Sequence, residues 1–244
     1  MIQKLDPKKV YKRNELILKI NEIIDHLHKD EFSLMNFDLK FLYNQAIEAL
    51  KAYGICVSSA PKFELIQSKL NSYKFSKINK FEKSILLLIP PVPRKDLLAA
   101  INKNNNIGNL QYDCYTYSFD DDSLWGKDSN EWRVMITEDM KDIQKKFSGT
   151  WKKQAESFLE DAKEKGIDLI NDAQSYLVLL MIMQKQNINI ETDYFCVLNA
   201  DRLTNSSYVA YSVFRADIRR VVFYGSNPVY ASEDLRARPS VPLL

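Results

Sequence analysis

His26 and His28 are the only imidazoles in this chain. Two positions apart on a helix they point to different faces, so one metal ion cannot take both from that segment, and they read as surface or partner-facing residues. Any Ser-His-Asp or Cys-His arrangement would have to recruit one of them. The three cysteines, Cys56, Cys114 and Cys196, are widely separated and outside any Cys-x-x-Cys spacing, which fits ordinary reduced thiols. The run Asp120-Asp121-Asp122, with Asp128 and Glu131 beyond it, is the one acidic cluster that could attract a hard cation. Calcium loops alternate oxygen ligands around a glycine turn, whereas Leu124 and Trp125 stand where ligands belong, so a solvated acidic loop is expected. Only six glycines are present, with no phosphate-cradling loop or dinucleotide fingerprint among them. No pair of carboxylates is marked out for acid–base work. The expectation is therefore no catalytic residue, no metal site and no cofactor.

The elements that would have to position any site come next. At 244 residues and 45% hydrophobic side chains, the chain can bury a core as one large domain or two small ones. Its 34 basic and 32 acidic groups nearly cancel, so no global field recommends nucleic acid or an anionic membrane as partner. Met1 to Asp6 lack the basic-then-apolar pattern of a secretory signal. The apolar runs Ile85 to Ile89 and Leu177 to Met183 fall far short of the roughly 20 residues a membrane span needs. The reading is a protein synthesised in the cytoplasm without membrane insertion, whose destination could be a virion or a cell surface.

From Val10 to Leu27, Leu16, Ile20, Ile23 and Leu27, backed by Ile17 and Ile24, recur at helical spacing. That stripe serves either a core helix or a homo-oligomer formed through the N-terminal helices, since it spans only about two heptads. Further helices are predicted from Asp38 to Tyr53, ending at Gly54, and from Pro61 to Tyr73. Pro90-Pro91-Val92-Pro93 cannot continue a helix or a central strand, which places a junction there. A short helix from Arg94 to Ile101 and a strand from Tyr112 to Phe119 follow, then a strand from Trp132 to Ile136. Two helices are predicted from Thr150 to Lys165 and from Asp172 to Gln186, the second apolar nearly all round and so buried. Strands are predicted over Phe195 to Leu198, Tyr208 to Phe214, Arg220 to Tyr224 and Arg238 to Val241. The division that results is a helical region over 1–90, a linker with a short strand over 91–125, and a β-rich domain over 126–244.

The C-terminal part carries a compositional anomaly. All 25 lysines lie at or before Lys185, while six of the nine arginines fall after it. From Thr192 to Ser232 there is no Lys, Glu, Gln, Met or Trp. These types make up roughly a quarter of the rest of the chain, which would put about ten of them in this stretch. Strand propensity disfavours Lys and Glu but favours Trp, so it explains only part of the gap. The five missing types are those that no codon ending in a pyrimidine can encode, which is what repeated randomisation of Asn-type codons at their adenines leaves behind.

Taken with the ending Asp234-Leu235-Arg236-Ala237-Arg238-Pro239-Ser240-Val241, the stretch resembles the variable proteins of diversity-generating retroelements, whose variable region closes on a motif like Ile/Leu-Gly-Ala-Arg. Leu235, Ala237 and Arg238 match it. Arg236 stands where the family usually has glycine, and the Gly-Ser-Arg type element of some members is absent. The resemblance runs from the strand at Trp132 to the end. It implies a C-type-lectin fold, shared with formylglycine-generating enzymes, in which a rigid sheet and two helices display variable side chains on one face.

The expected fold class is thus α+β, an N-terminal helical region followed by a C-type-lectin-like domain of one strand, two helices and several antiparallel strands. The expected function is non-enzymatic recognition of a protein or cell-surface ligand. Two rivals stand beside it: an enzyme or modifying protein on a formylglycine-generating-type fold, and a viral structural or assembly protein. Candidate ligand-binding residues are Tyr208, Phe214, Phe223, Tyr224 and Tyr230 for rigid contact area. Asn205, Ser212, Ser226 and Asn227 would supply adaptable hydrogen bonds, and Asp201, Arg215 and Asp217 charged ones.

Overall fold

A computed structural model describes residues 39–72, 84–104, 106–107, 113–116, 120, 122–125, 127–138, 147–188, 195–197, 209–215, 217–231 and 235–244. The chain divides into two compact units, 1–41 and 42–244. The helix expected over Val10 to Leu27 lies outside the described residues, as do Asp201, Asn205 and Tyr208. Helix and sheet are mixed, and among the described residues no helix is long and apolar enough to cross a membrane.

Helix α1 covers 39–52 and buries Ala46, Ala49, Leu50 and Tyr53. Gly54, at φ +76°, ends it, and the Ile55 N–H donates to the Leu50 carbonyl, the six-to-one bond of a Schellman cap. The Tyr53 hydroxyl donates to Gln184 Oε1 at 2.5 Å, and burial raises its pKa above the usual phenol value. Helix α2 (Phe63–Ser72) precedes strand β1 (Ser84–Ile89), whose Ile85, Leu86, Leu87, Leu88 and Ile89 are all buried. A continuous apolar run of this kind belongs to a strand covered on both faces.

Helix α3 (Arg94–Lys103) follows Pro93, which has no side chain to cap it. Asp128 does so instead, accepting from the Arg94 N–H at 3.2 Å and from its Nη1 at 3.0 Å, while Asp122 accepts from Nη2 at 2.7 Å. Strand β2 (Asp113–Thr116) and the single turn α4 (Asp122–Trp125) lead to β3 (Arg133–Glu138).

Helix α5 (Trp151–Lys165) starts at the N-cap Thr150 and stops at Gly166, φ +64°. After β4 (Asp168–Leu169), α6 (Ala173–Lys185) is buried at every position from Ala173 to Gln184, as its all-round apolarity requires. Strands β5 (Phe195–Val197), β6 (Val209–Arg215), β7 (Arg220–Ser226), β8 (Leu235–Arg236) and β9 (Pro239–Pro242) complete the chain.

These strands form a four-stranded sheet in the order β1-β3-β9-β4 and a five-stranded sheet in the order β2-β7-β6-β5-β8. The first is antiparallel throughout; the second contains two parallel pairings, β2 with β7 and β5 with β8. The expectation of antiparallel strands therefore holds only in part.

The junction expected at Pro90–Pro93 is corrected by the pairing. Strand β1 runs beside β3 over six residue pairs, α6 packs on β1 and α3, and β2 extends the second sheet. Gln174 of α6 ties the intervening segment down, donating to the Val92 carbonyl at 2.8 Å and accepting from the Ser129 N–H at 2.8 Å. The three prolines of this segment end a strand without separating domains, because Pro90 merely stops the β1 ladder.

Candidate functional site

Among the described residues the chemistry-bearing side chains do not converge. Among the described residues no three His, Cys, Asp or Glu side chains could hold a metal ion. Asp122 and Asp128 are engaged by the buried Arg94, and Asp120 pairs with Lys95. The acidic loop is thus a set of ion pairs fastening α3, a role that the run of aspartates alone does not reveal. Cys56 is exposed, and its hydrogen bond with Ser58 lowers the thiol pKa; Cys114 is buried.

Sheet register decides what the C-terminal strands display. Val209, Tyr211, Val213 and Arg215 of β6 stand opposite Ser226, Tyr224, Val222 and Arg220 of β7, and alternation puts these eight on one face. Tyr115 of β2, paired with Val222, joins them. Ala210, Ser212, Phe214, Val221, Phe223 and Gly225 face the other way.

That other face is core. Phe223 and Ser212 are 0% exposed, and Phe223 meets Trp125 and Tyr176 edge-on at 6.0 Å each. Leu124 lies over Gly225 so closely that a Cβ there would come within 2.8 Å of it. Phe223 and Ser212 are consequently not ligand-binding residues: both are fully buried, Phe223 against Trp125 of α4 and Tyr176 of α6, and out of reach of a ligand. Phe214 is half-buried at the end of the same face.

The first face is open in part. At one end Arg215 makes a bidentate pair with Asp217, at 3.0 and 2.8 Å, and both groups are exposed. The Arg215 hydrogen bonds hold the Asp217 carboxyl below its usual range. The Arg220 guanidinium lies over the Tyr115 ring, 5.6 Å from its centroid. At the other end Tyr211 packs edge-on against Trp151 at 5.0 Å and lies 5.7 Å from Tyr224. Burial, then the neighbouring Tyr224 and Tyr230, push the Tyr211 hydroxyl up to about 12.

Tyr230, 62% exposed, closes this end, with Trp151 beneath it at 5.9 Å. It sits in the turn Asn227-Pro228-Val229-Tyr230, where the Tyr230 N–H donates to the Asn227 carbonyl and the Val229 N–H to Asn227 Oδ1, both at 3.1 Å.

Six of the candidate residues, Arg215, Asp217, Tyr224, Ser226, Asn227 and Tyr230, thus lie on or beside the open face. Tyr115, Tyr211 and Arg220 belong there too, with the buried Trp151 packed against Tyr211, and none of these four is in the candidate set. Tyr211 and Arg220 share parity with Arg215 and Tyr224, but both faces of these strands are apolar, so parity alone does not mark the open one. Tyr115 and Trp151 arrive from distant elements, and no local pattern announces them. The closing motif itself is interior: Leu235, Arg236, Ala237 and Arg238 are all buried. Comparison of the chain with protein-family models, curated proteins and solved structures found no match.

Proposed function

We propose that the chain is a non-enzymatic recognition protein, with a C-type-lectin-like C-terminal part that presents a variable surface to a protein or cell-surface ligand. The observation that carries this reading is the split within the stretch lacking five residue types. Tyr211, Arg215, Arg220, Tyr224 and Ser226 share a partly open face, interrupted by the buried Val209, Val213 and Val222, and on the opposite face Ala210, Ser212, Val221 and Phe223 are buried. A scaffold of that kind keeps its buried residues and tolerates change on the other side. The element order strand, two helices, strands, with β9 returning to β3, supports the lectin-like architecture. Tyrosines, arginines and short hydroxyl or amide side chains are the mixture paratopes use.

For the formylglycine-generating alternative, strand order rules out one cysteine pair. Cys114 and Cys196 lie on β2 and β5 with β7 and β6 between them, roughly 14 Å apart at sheet spacing. A cysteine pair needs Cα atoms within about 7 Å.

The test is genetic. A reverse-transcriptase gene and a near-copy of the C-terminal coding segment should lie beside this gene. Copies from sister isolates should differ at Tyr211, Arg215, Arg220 and Tyr224 but agree at Ala210, Ser212, Val221 and Phe223. Identical copies, or differences spread evenly over both faces, would refute the reading.

A further inference from the structure

The turn at 227–230 is joined to helix α5 in an unusual division of labour. The Trp151 N–H donates to the Tyr230 carbonyl at 2.7 Å and the Lys152 N–H to the Pro228 carbonyl at 3.1 Å. Thr150 Oγ1 accepts from the Lys153 N–H. The first three amides of α5, which no intrahelical carbonyl can reach, are thus satisfied by one side chain of the helix's own cap and two main-chain carbonyls of the turn. Main-chain carbonyls are present whatever residue occupies a position. The shape of the turn is set elsewhere, by the Asn227 side chain on the Val229 N–H and by Pro228, whose fixed φ suits the second position of a β-turn.

Val229 and Tyr230 are thereby relieved of structural duty. They are 68% and 62% exposed, the largest values among the exposed large hydrophobic side chains of the described residues. Both lie inside the stretch with the missing residue types, and Tyr230 continues the aromatic end of the open sheet face through Trp151 and Tyr211.

We infer that this turn is the specificity-determining loop of the recognition surface: Asn227 and Pro228 form an invariant frame, main-chain bonds fix it to α5, and Val229 and Tyr230 are the positions that change. The inference rests on the recognition reading above.

Two measurements on the full-length chain and its gene test it. Val229 and Tyr230 are each replaced by Asp, Arg, Asn and Phe, and Asn227 by Ala, and thermal midpoints are compared. The 229 and 230 variants should melt within about 3 °C of the parent, and Asn227→Ala should melt lower than any of them. A drop of about 8 °C or more in most Tyr230 variants would make Tyr230 a packing residue on Trp151 and overturn the inference. In sister copies of the gene, codons 229 and 230 should differ while 227 keeps Asn, Asp, Ser or Thr. Copies that vary at Tyr211 and Tyr224 but never at 229 and 230 would sink the loop and leave the recognition reading standing; copies that vary nowhere would sink both.

Discussion

At the scale of single residues, the two faces of one strand predict opposite mutational costs. Phe223 is fully buried between Trp125 and Tyr176, so Phe223→Ala should destabilise by about 3–5 kcal/mol, the range for emptying an aromatic site in a core. Its sequence neighbour Tyr224 is half-buried beside Tyr211, and Tyr224→Ser should cost about 1–2 kcal/mol, mostly the ring contact and the area it covers. Urea denaturation of both variants gives the comparison, and equal costs would mean that the strand phase is wrong. A second residue pair predicts a pH dependence. Arg133 and Asp172 bond at 2.8 and 2.9 Å, with roughly a quarter of each side chain still exposed. Burial alone pushes the Asp172 carboxyl up, but the Arg133 bonds, with those from Ser175, more than reverse it and hold the group below its usual range. A depressed carboxyl stabilises the folded chain above its unfolded pKa, about 3.9, and that contribution disappears as pH falls through the folded value. Asp172→Asn should therefore cost roughly 1.5–3 kcal/mol at pH 7, and the gap from the parent should shrink below about pH 4. A gap of constant size down to pH 3 would show that the ion pair contributes nothing.

At the scale of elements, Gly225 shows how one strand residue fixes the position of a helical turn. Its missing Cβ is the space into which Leu124 of α4 packs. Gly225→Ala forces the buried Leu124 aside and should cost about 1–3 kcal/mol, the usual range for overpacking. In a Leu124→Ala background the same change should cost less, because the obstructing methyls are gone; a double-mutant cycle with no coupling would contradict the packing. The longer described helices were legible in the sequence because their signals are local, whereas the single turn α4 falls where a loop is expected. Gly54 and Gly166 stand at their C-termini in the left-handed region, Thr150 and Asp172 at N-caps, and α6 declares its burial by being apolar all round. The phase of β6 and β7 was not legible. Val-Ala-Tyr-Ser-Val-Phe-Arg and Val-Val-Phe-Tyr are apolar on both faces, because α4 and α6 cover one and α5 part of the other, so alternation cannot say which side is open. The sequence alone therefore does not distinguish Phe223 and Ser212 from Tyr224 and Arg215, and it leaves Tyr211 unmarked. Strands β4 and β8, two residues each, are too short to produce any period.

At the scale of the whole chain, long-range pairing overrides what composition suggests about domains. The proline-rich segment and the polar stretches after it look like a linker, but the pairing that makes 91–125 part of the same body involves partners far along the chain, which no local signal encodes. Strand β1 is paired with β3 in the first sheet and α6 packs on it, so removing its five consecutive apolar side chains would leave the α6 residues they cover facing water. Strand β2 covers the outer edge of β7, and Arg94 of α3 holds Asp122 and Asp128 in place around α4. A fragment of residues 126–244 would thus lack one edge strand of each sheet and would uncover apolar surface of α6, with each lost core side chain worth about 1.5–3 kcal/mol. Against a typical total stability of about 5–15 kcal/mol, that loss is enough to prevent folding. The fragment should therefore lack a cooperative thermal transition and aggregate, whereas residues 42–244, the second compact unit, should melt in a single transition. If the 126–244 fragment instead folds cooperatively with a midpoint near that of the longer piece, then β1, α3 and β2 are accessories to a self-sufficient C-terminal domain and the boundary belongs after the prolines.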